Sequence, residues 1–103
     1  MDTFAIESKV VETLKTIFDP EIPVNIYELG LIYEVIAEIN GKVNIKMTLT
    51  SPNCPMVDSM LEEINEKVKA TDGVSDVVLN IVFDPPWNKN MMSDAALLDL
   101  GLL

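Results

Sequence analysis

Apolar positions recur along this chain at two spacings, and the switches between them predict its elements. Ile6, Val10, Val11, Leu14, Ile17 and Phe18 fall on one side of a helical period. Asp2 or Thr3 stands ahead of them as N-cap, so residues 4–18 are expected to form an amphipathic helix. Asp19-Pro20 stops it, because proline disfavours helical geometry at the residue before it, and Pro23 repeats the block. Ile26-Tyr27-Glu28-Leu29-Gly30 reads as a single helical turn closed by glycine. Alternating apolar and polar positions then take over in residues 31–38 and 42–50, predicting two strands joined around Asn40-Gly41.

The pattern also selects a register for this hairpin. A two-residue loop would mix apolar and charged residues on both faces. A three-residue loop, Ile39-Asn40-Gly41 with Gly41 left-handed, opposes Ala37 to Val43, Val35 to Ile45, Tyr33 to Met47 and Leu31 to Leu49. The other face then pairs Glu34 with Lys46 and Glu38 with Lys42, and carries Thr48 and Thr50. The longer loop is therefore expected.

Met56, Val57, Met60, Leu61, Ile64 and Val68 return to helical spacing, which predicts a second helix over residues 55–70. Asp58 in its first turn and Lys67 and Lys69 in its last complement the helix dipole. The methionines share the apolar stripe and read as core filler rather than thioether ligands. Val77, Leu79, Ile81 and Phe83 alternate through a third strand at 75–83, and Ser93 can cap a short helix of residues 94–100 that ends at Gly101. The order helix, strand, strand, helix, strand, helix predicts an α+β sandwich: a small, mainly three-stranded sheet with its helices packed on one face. No repeat or internal boundary interrupts it, so residues 1–103 are expected to be one domain.

Composition narrows the function. At 103 residues with 49% apolar and 23% charged positions, the chain has a globular balance. Seventeen acidic residues against seven basic leave a net charge of −10, which repels phosphate backbones and argues against nucleic acid as a partner. No apolar stretch approaches membrane-spanning length and no basic leader precedes an apolar run, so a soluble cytoplasmic protein without membrane association is expected.

The candidate chemistry sits in Thr48-Leu49-Thr50-Ser51-Pro52-Asn53-Cys54-Pro55, where the second strand runs into a proline-punctuated turn carrying the only cysteine. Pro55 suits the first helical position, which puts Cys54 at or beside the N-cap. Unpaired N–H groups and the dipole there favour thiolate, a dipole term of about 0.3–1 kcal/mol. No Lys, Arg or His lies in the loop to add to it. The other reading of Cys54 is a small buried apolar filler. A thiol enzyme using Cys54 as nucleophile would lack a histidine base, since the chain has no histidine.

The single cysteine also limits metal chemistry. Iron–sulfur clusters take about four thiolates and structural zinc about four Cys or His ligands, so a monomer cannot complete either site from those residue types. Cys54 can serve as a metal ligand only in a site shared with a second subunit, a partner or a small thiol. Two further turns stand out. Asp19 and Glu21 lie near a helix C-terminus, an unfavourable place for acids, where they either accept hydrogen bonds from a neighbouring loop or partner or are solvated turn acids. Asp84-Pro85-Pro86-Trp87 ends the third strand and delivers an indole that either caps the core or anchors a partner.

Asp19-Pro20-Glu21-Ile22-Pro23, Leu29-Gly30-Leu31-Ile32-Tyr33, Met47-Thr48-Leu49-Thr50-Ser51, Cys54-Pro55, Asp84-Pro85-Pro86-Trp87 and Met91-Met92-Ser93 together resemble the SufT and PaaD-like family of iron–sulfur cluster assembly domains. The resemblance spans nearly the whole chain. It implies a compact α+β domain that helps transfer or insert clusters into client proteins, free-standing or fused to a P-loop scaffold whose lysine motif is absent here. It implies no permanently bound cofactor, a transient iron–sulfur cluster as cargo, and iron–sulfur assembly proteins or client apo-proteins as partners, with a homodimer as one way to complete the ligand set. Carried over by motif, Cys54 becomes the cluster-handling thiol, Asp19, Glu21, Thr48, Thr50, Ser51 and Asn53 its supporting site, and Asp84, Pro85, Pro86 and Trp87 a partner contact. Asn53 stands where many relatives have glycine, and Asn88-Lys89 where Thr-Pro is commoner. The PaaD side of the resemblance leaves an accessory subunit of a multicomponent oxygenase as the alternative.

Overall fold

The computed structural model describes residues 2–19, 22–50 and 57–101. The chain forms α1 (Thr3–Leu14), β1 (Ile32–Ala37), β2 (Lys42–Met47), α2 (Val57–Lys69), β3 (Asp76–Ile81), a 3-10 turn at Lys89–Met91 and α3 (Asp94–Asp99). This is the expected α+β order. The strands form one sheet in the order β1-β2-β3, with β1 and β2 antiparallel and β2 and β3 parallel. Helix α2 makes the crossover that parallel neighbours require. Val43, Ile45 and Met47 of the central strand are fully buried and join Ile6, Val10 and Leu14 of α1 and Ile64 and Val68 of α2 in one core. The opposite sheet face stays open, with Ile36 half exposed and Glu34, Glu38 and Asn80 in solvent. Among the described residues, no helix is long and apolar enough to cross a membrane.

The three-residue loop forms as expected, with Gly41 at φ +91° and its N–H donating to Glu38 O. Only glycine fits there, because a Cβ would approach the Gly73 carbonyl to 2.6 Å. Ala37 faces Val43, Val35 faces Ile45 and Glu34 faces Lys46. Beyond Glu34 the expected register fails, because Met47 pairs with Ile32 across a β-bulge. Tyr33 is therefore an extra residue in β1 rather than the partner of Met47. Its hydroxyl instead donates to Pro85 O at 2.7 Å.

The first helix is shorter than its apolar stripe. Asp2 caps it by accepting the Ala5 N–H, but it ends at Leu14, where Thr16 and Ile17 donate to the Thr13 and Leu14 carbonyls in tighter turns. The Thr16 hydroxyl also takes the Thr13 carbonyl at 2.6 Å, competing with continuation of the helix. Ile17 stays buried, while Phe18 turns out to 58% exposure and bridges to Asn25. Ser93 does cap α3, accepting the Ala96 N–H.

Candidate functional site

Strand β2 delivers its polar extension to the loop that follows α1. Asp19 lies in that loop at 7% exposure, held by the reversal in which its own N–H donates to Val24 O and Ile26 N–H donates to Ile17 O. Its Oδ1 accepts the Ile22 N–H at 3.0 Å and its Oδ2 accepts the Thr50 hydroxyl at 3.4 Å. The carboxylate thus closes its own turn and ties that turn to the end of the neighbouring strand. A hydrogen bond to a charged group contributes about 1.5–3 kcal/mol, and the shorter Ile22 bond carries more of it than the long one to Thr50. The two motifs, 31 residues apart in sequence, meet at this bond.

Thr48 lies two residues before Thr50 and is 1% exposed, although alternation along β2 places it on the open face. Its backbone N–H donates to Leu31 O at 2.9 Å, which keeps it beside β1 past the bulge. Among the described residues, no group hydrogen-bonds its Oγ1. A buried hydroxyl left unpaired costs about 1–3 kcal/mol, which a valine of the same shape would avoid. Glu21, Ser51, Asn53 and Cys54 lie outside the described residues, so the structure brings together Asp19 and Thr50 from the expected supporting set.

The Asp84-Pro85-Pro86-Trp87 turn is fastened at this same end of the sheet, around the start of β1. The Trp87 indole N–H donates to Leu29 O at 2.8 Å, and its half-buried ring packs against the core. Tyr33 holds Pro85 O from the bulge, and Ser93 N–H donates to Glu28 O. Gly30, at φ +91°, lets the Met91 backbone lie directly on it, because a Cβ there would collide with the Met91 carbonyl. Asp84, Pro85 and Pro86 remain exposed, displayed by these anchors. Sequence reasoning gave Gly30 only the closing of a turn and Tyr33 only a place opposite Met47, and gave no part to the Glu28 and Leu29 carbonyls. The available signal was that Leu29-Gly30, Tyr33 and Met91-Met92-Ser93 all belong to the recurrent motifs, and the structure packs them against one another.

Two junctions therefore stand at one end of the sheet, one built on Asp19 and Thr50 and one on Tyr33, Leu29 and Trp87. Among the described residues, no three His, Cys, Asp or Glu side chains gather as a metal-binding group. Comparison with known proteins places the whole arrangement. A family model described as iron-sulfur cluster assembly protein matches residues 7–80. The chain belongs to this family. A Porphyromonas gingivalis protein described as an Fe-S protein maturation auxiliary factor is 50% identical over 97 residues, covering 94% of this chain and 92% of that protein. The Staphylococcus aureus Fe-S protein maturation auxiliary factor SufT is 37% identical over 86 residues, covering 84% of this chain and 98% of that one. The crystal structure of a domain of unknown function, DUF59, from Bacillus anthracis matches with a TM-score of 0.88 at 38% identity, over 98% of this chain and 96% of that one. The family match covers α1 from Glu7 onward, all three strands but the last residue of β3, and α2, and the crystal structure extends the likeness through the C-terminal junction.

Proposed function

We propose that this protein is a single-domain maturation factor for iron–sulfur proteins, acting without catalytic turnover in the cytoplasm. The observation that carries the reading is the 50% identity, over 94% of the chain, to a protein described as an Fe-S protein maturation auxiliary factor. The oxygenase-accessory alternative draws no such support. The cluster is cargo rather than resident cofactor. With one cysteine and no histidine, the chain supplies one thiolate, Cys54, while a donor, a client or a second copy supplies the other ligands. Exchange of one thiolate for another at iron needs no net oxidation, only transfer of a proton to the departing sulfur.

The remaining motifs serve that exchange. Asp19 and Thr50 hold the floor from which the chain continues towards Ser51, Asn53 and Cys54, with Glu21 beside them in sequence. Asp84, Pro85, Pro86 and the outer part of Trp87 offer a proline-stiffened contact for an assembly protein or client, at low ordering cost because the turn is already anchored. Anaerobic reconstitution with iron and sulfide, followed by absorption spectroscopy and native mass measurement, tests the reading on wild-type and Cys54→Ser protein. Cluster-bearing species are expected only with the thiol present, together with loss of client activation in the variant. Full client activation by Cys54→Ser protein would remove the thiol from the mechanism.

A further inference from the structure

The two edges of the sheet are finished differently. At β1 the edge is guarded: Glu7 Oε2 accepts the outward Ala37 N–H at 2.9 Å, where a further strand would place a carbonyl, and the bulge at Tyr33 breaks the line of the strand. Such devices keep exposed edges from pairing. At β3, among the described residues, only the first outward N–H is blocked in this way. All six residues from Asp76 to Ile81 pair in register with β2, with no bulge. Val82 N–H donates inward to Met47 O, so the alternating residues Val77, Leu79 and Ile81 turn their N–H and carbonyl groups to the free side. Val77 N–H is occupied by its neighbour's Asp76 carboxylate at 2.9 Å; among the described residues, none bonds the outward groups of Leu79 and Ile81.

The side chains tell the same story. Val43, Ile45 and Met47 on β2 are fully buried, whereas their in-register neighbours Val77, Leu79 and Ile81 are only partly covered and Phe83 is 53% exposed. No charged residue occurs from Val77 to Phe83, in a chain of net charge −10. This is the one edge that two equally acidic molecules can bring together without opposing carboxylates.

We infer that β3 is the interface of a symmetric homodimer, in which two copies pair β3 with β3 antiparallel across a two-fold axis at Leu79. Outward-facing residues must meet outward-facing residues, so the choice is between registers two residues apart. Centring on Leu79 sets Val77 against Ile81 on the helix side and Val78 against Asn80 on the open side. The register centred on Asn80 would oppose Asp76 to Asp84, and like charges directly opposed are destabilising; the one centred on Val78 would set Ile81 against Ser75, outside the apolar run. The dimer joins both sheets into one, completes the cover of the half-buried row, and carries two Cys54 thiols instead of one. The inference stands on the sheet edge and does not depend on the cargo reading.

Sedimentation equilibrium of the full chain in excess reductant tests it, alongside two double variants on the open face. Val78→Lys with Asn80→Lys, and Val78→Glu with Asn80→Glu, place like charges opposite one another across the axis. Wild-type and Cys54→Ser proteins are expected at twice the 11.4 kDa chain mass, each double variant at the chain mass, and an equimolar mixture of the two back at the dimer mass. Wild-type protein that stays monomeric to its solubility limit, a lysine variant that still dimerises, or a mixture that stays monomeric would each overturn the inference. Amide exchange on wild-type protein needs no variant: Leu79 and Ile81 N–H groups should gain protection as concentration rises, and fast exchange at every concentration would contradict the pairing.

Discussion

The chain contains two Asp-Pro turns, and the fold uses them in opposite ways. Asp19 is turned inward and its carboxylate holds the turn, accepting from Ile22 N–H and the Thr50 hydroxyl. Asp84 is exposed, and its turn is held by two aromatic side chains instead of its own acid, through Trp87 to Leu29 O and Tyr33 to Pro85 O. The first turn spends its polar group on internal order and adjoins the strand that leads to Cys54. The second hides its indole and shows its acid and prolines. Similar dipeptides therefore mark a structural clamp in one place and a displayed surface in the other, because the partner each meets is set by distant residues.

Substitutions at four positions sharpen the contrast. Trp87→Ala should have the largest effect, lowering stability by about 2–4 kcal/mol through lost packing and an unpaired Leu29 carbonyl. Chemical denaturation monitored by circular dichroism measures it, and a loss below half a unit would mean that the indole is not the anchor. Asp19→Ala should cost about 1–3 kcal/mol, since it strands the Ile22 donor and the Thr50 hydroxyl, whereas Asp84→Ala should stay within about 0.5 kcal/mol yet weaken client pull-down. Equal destabilisation by the two would erase the distinction between clamp and display. Thr48→Val should raise stability by about 1 kcal/mol by removing an unpaired buried hydroxyl. If it also lowered client activation while Thr48→Ser did not, the hydroxyl would belong to the site rather than to the core.

Much of this architecture is legible in the residues themselves. The Ile39-Asn40-Gly41 loop, the pairing of Ala37 with Val43 and Val35 with Ile45, the Ser93 cap and the element order all follow from spacing and turn chemistry. The register beyond Glu34 does not, because a bulge is decided by where Tyr33 finds Pro85, 52 residues on. Phe18 has the right spacing for the core but leaves it, since the helix closes at Leu14 and the chain turns back to pair with Asn25. Of the site, Asp19 and Thr50 were identifiable from their motifs; Tyr33 and Gly30 have functions that exist only once the C-terminal segment lies across them.

Periodicity and punctuation were enough to settle the class of fold and the helix-side faces of β2 and β3, and the count of one sulfur and no imidazole that one chain cannot supply four Cys or His ligands. These depend on residues within a few positions of one another or on a simple census. Tertiary structure alone decided that β3 runs parallel to β2, that Asp19 is inside while Asp84 is outside, and that one sheet edge is guarded and the other open. Each of those outcomes is fixed by contacts between segments far apart in the chain, whose energies no local pattern records.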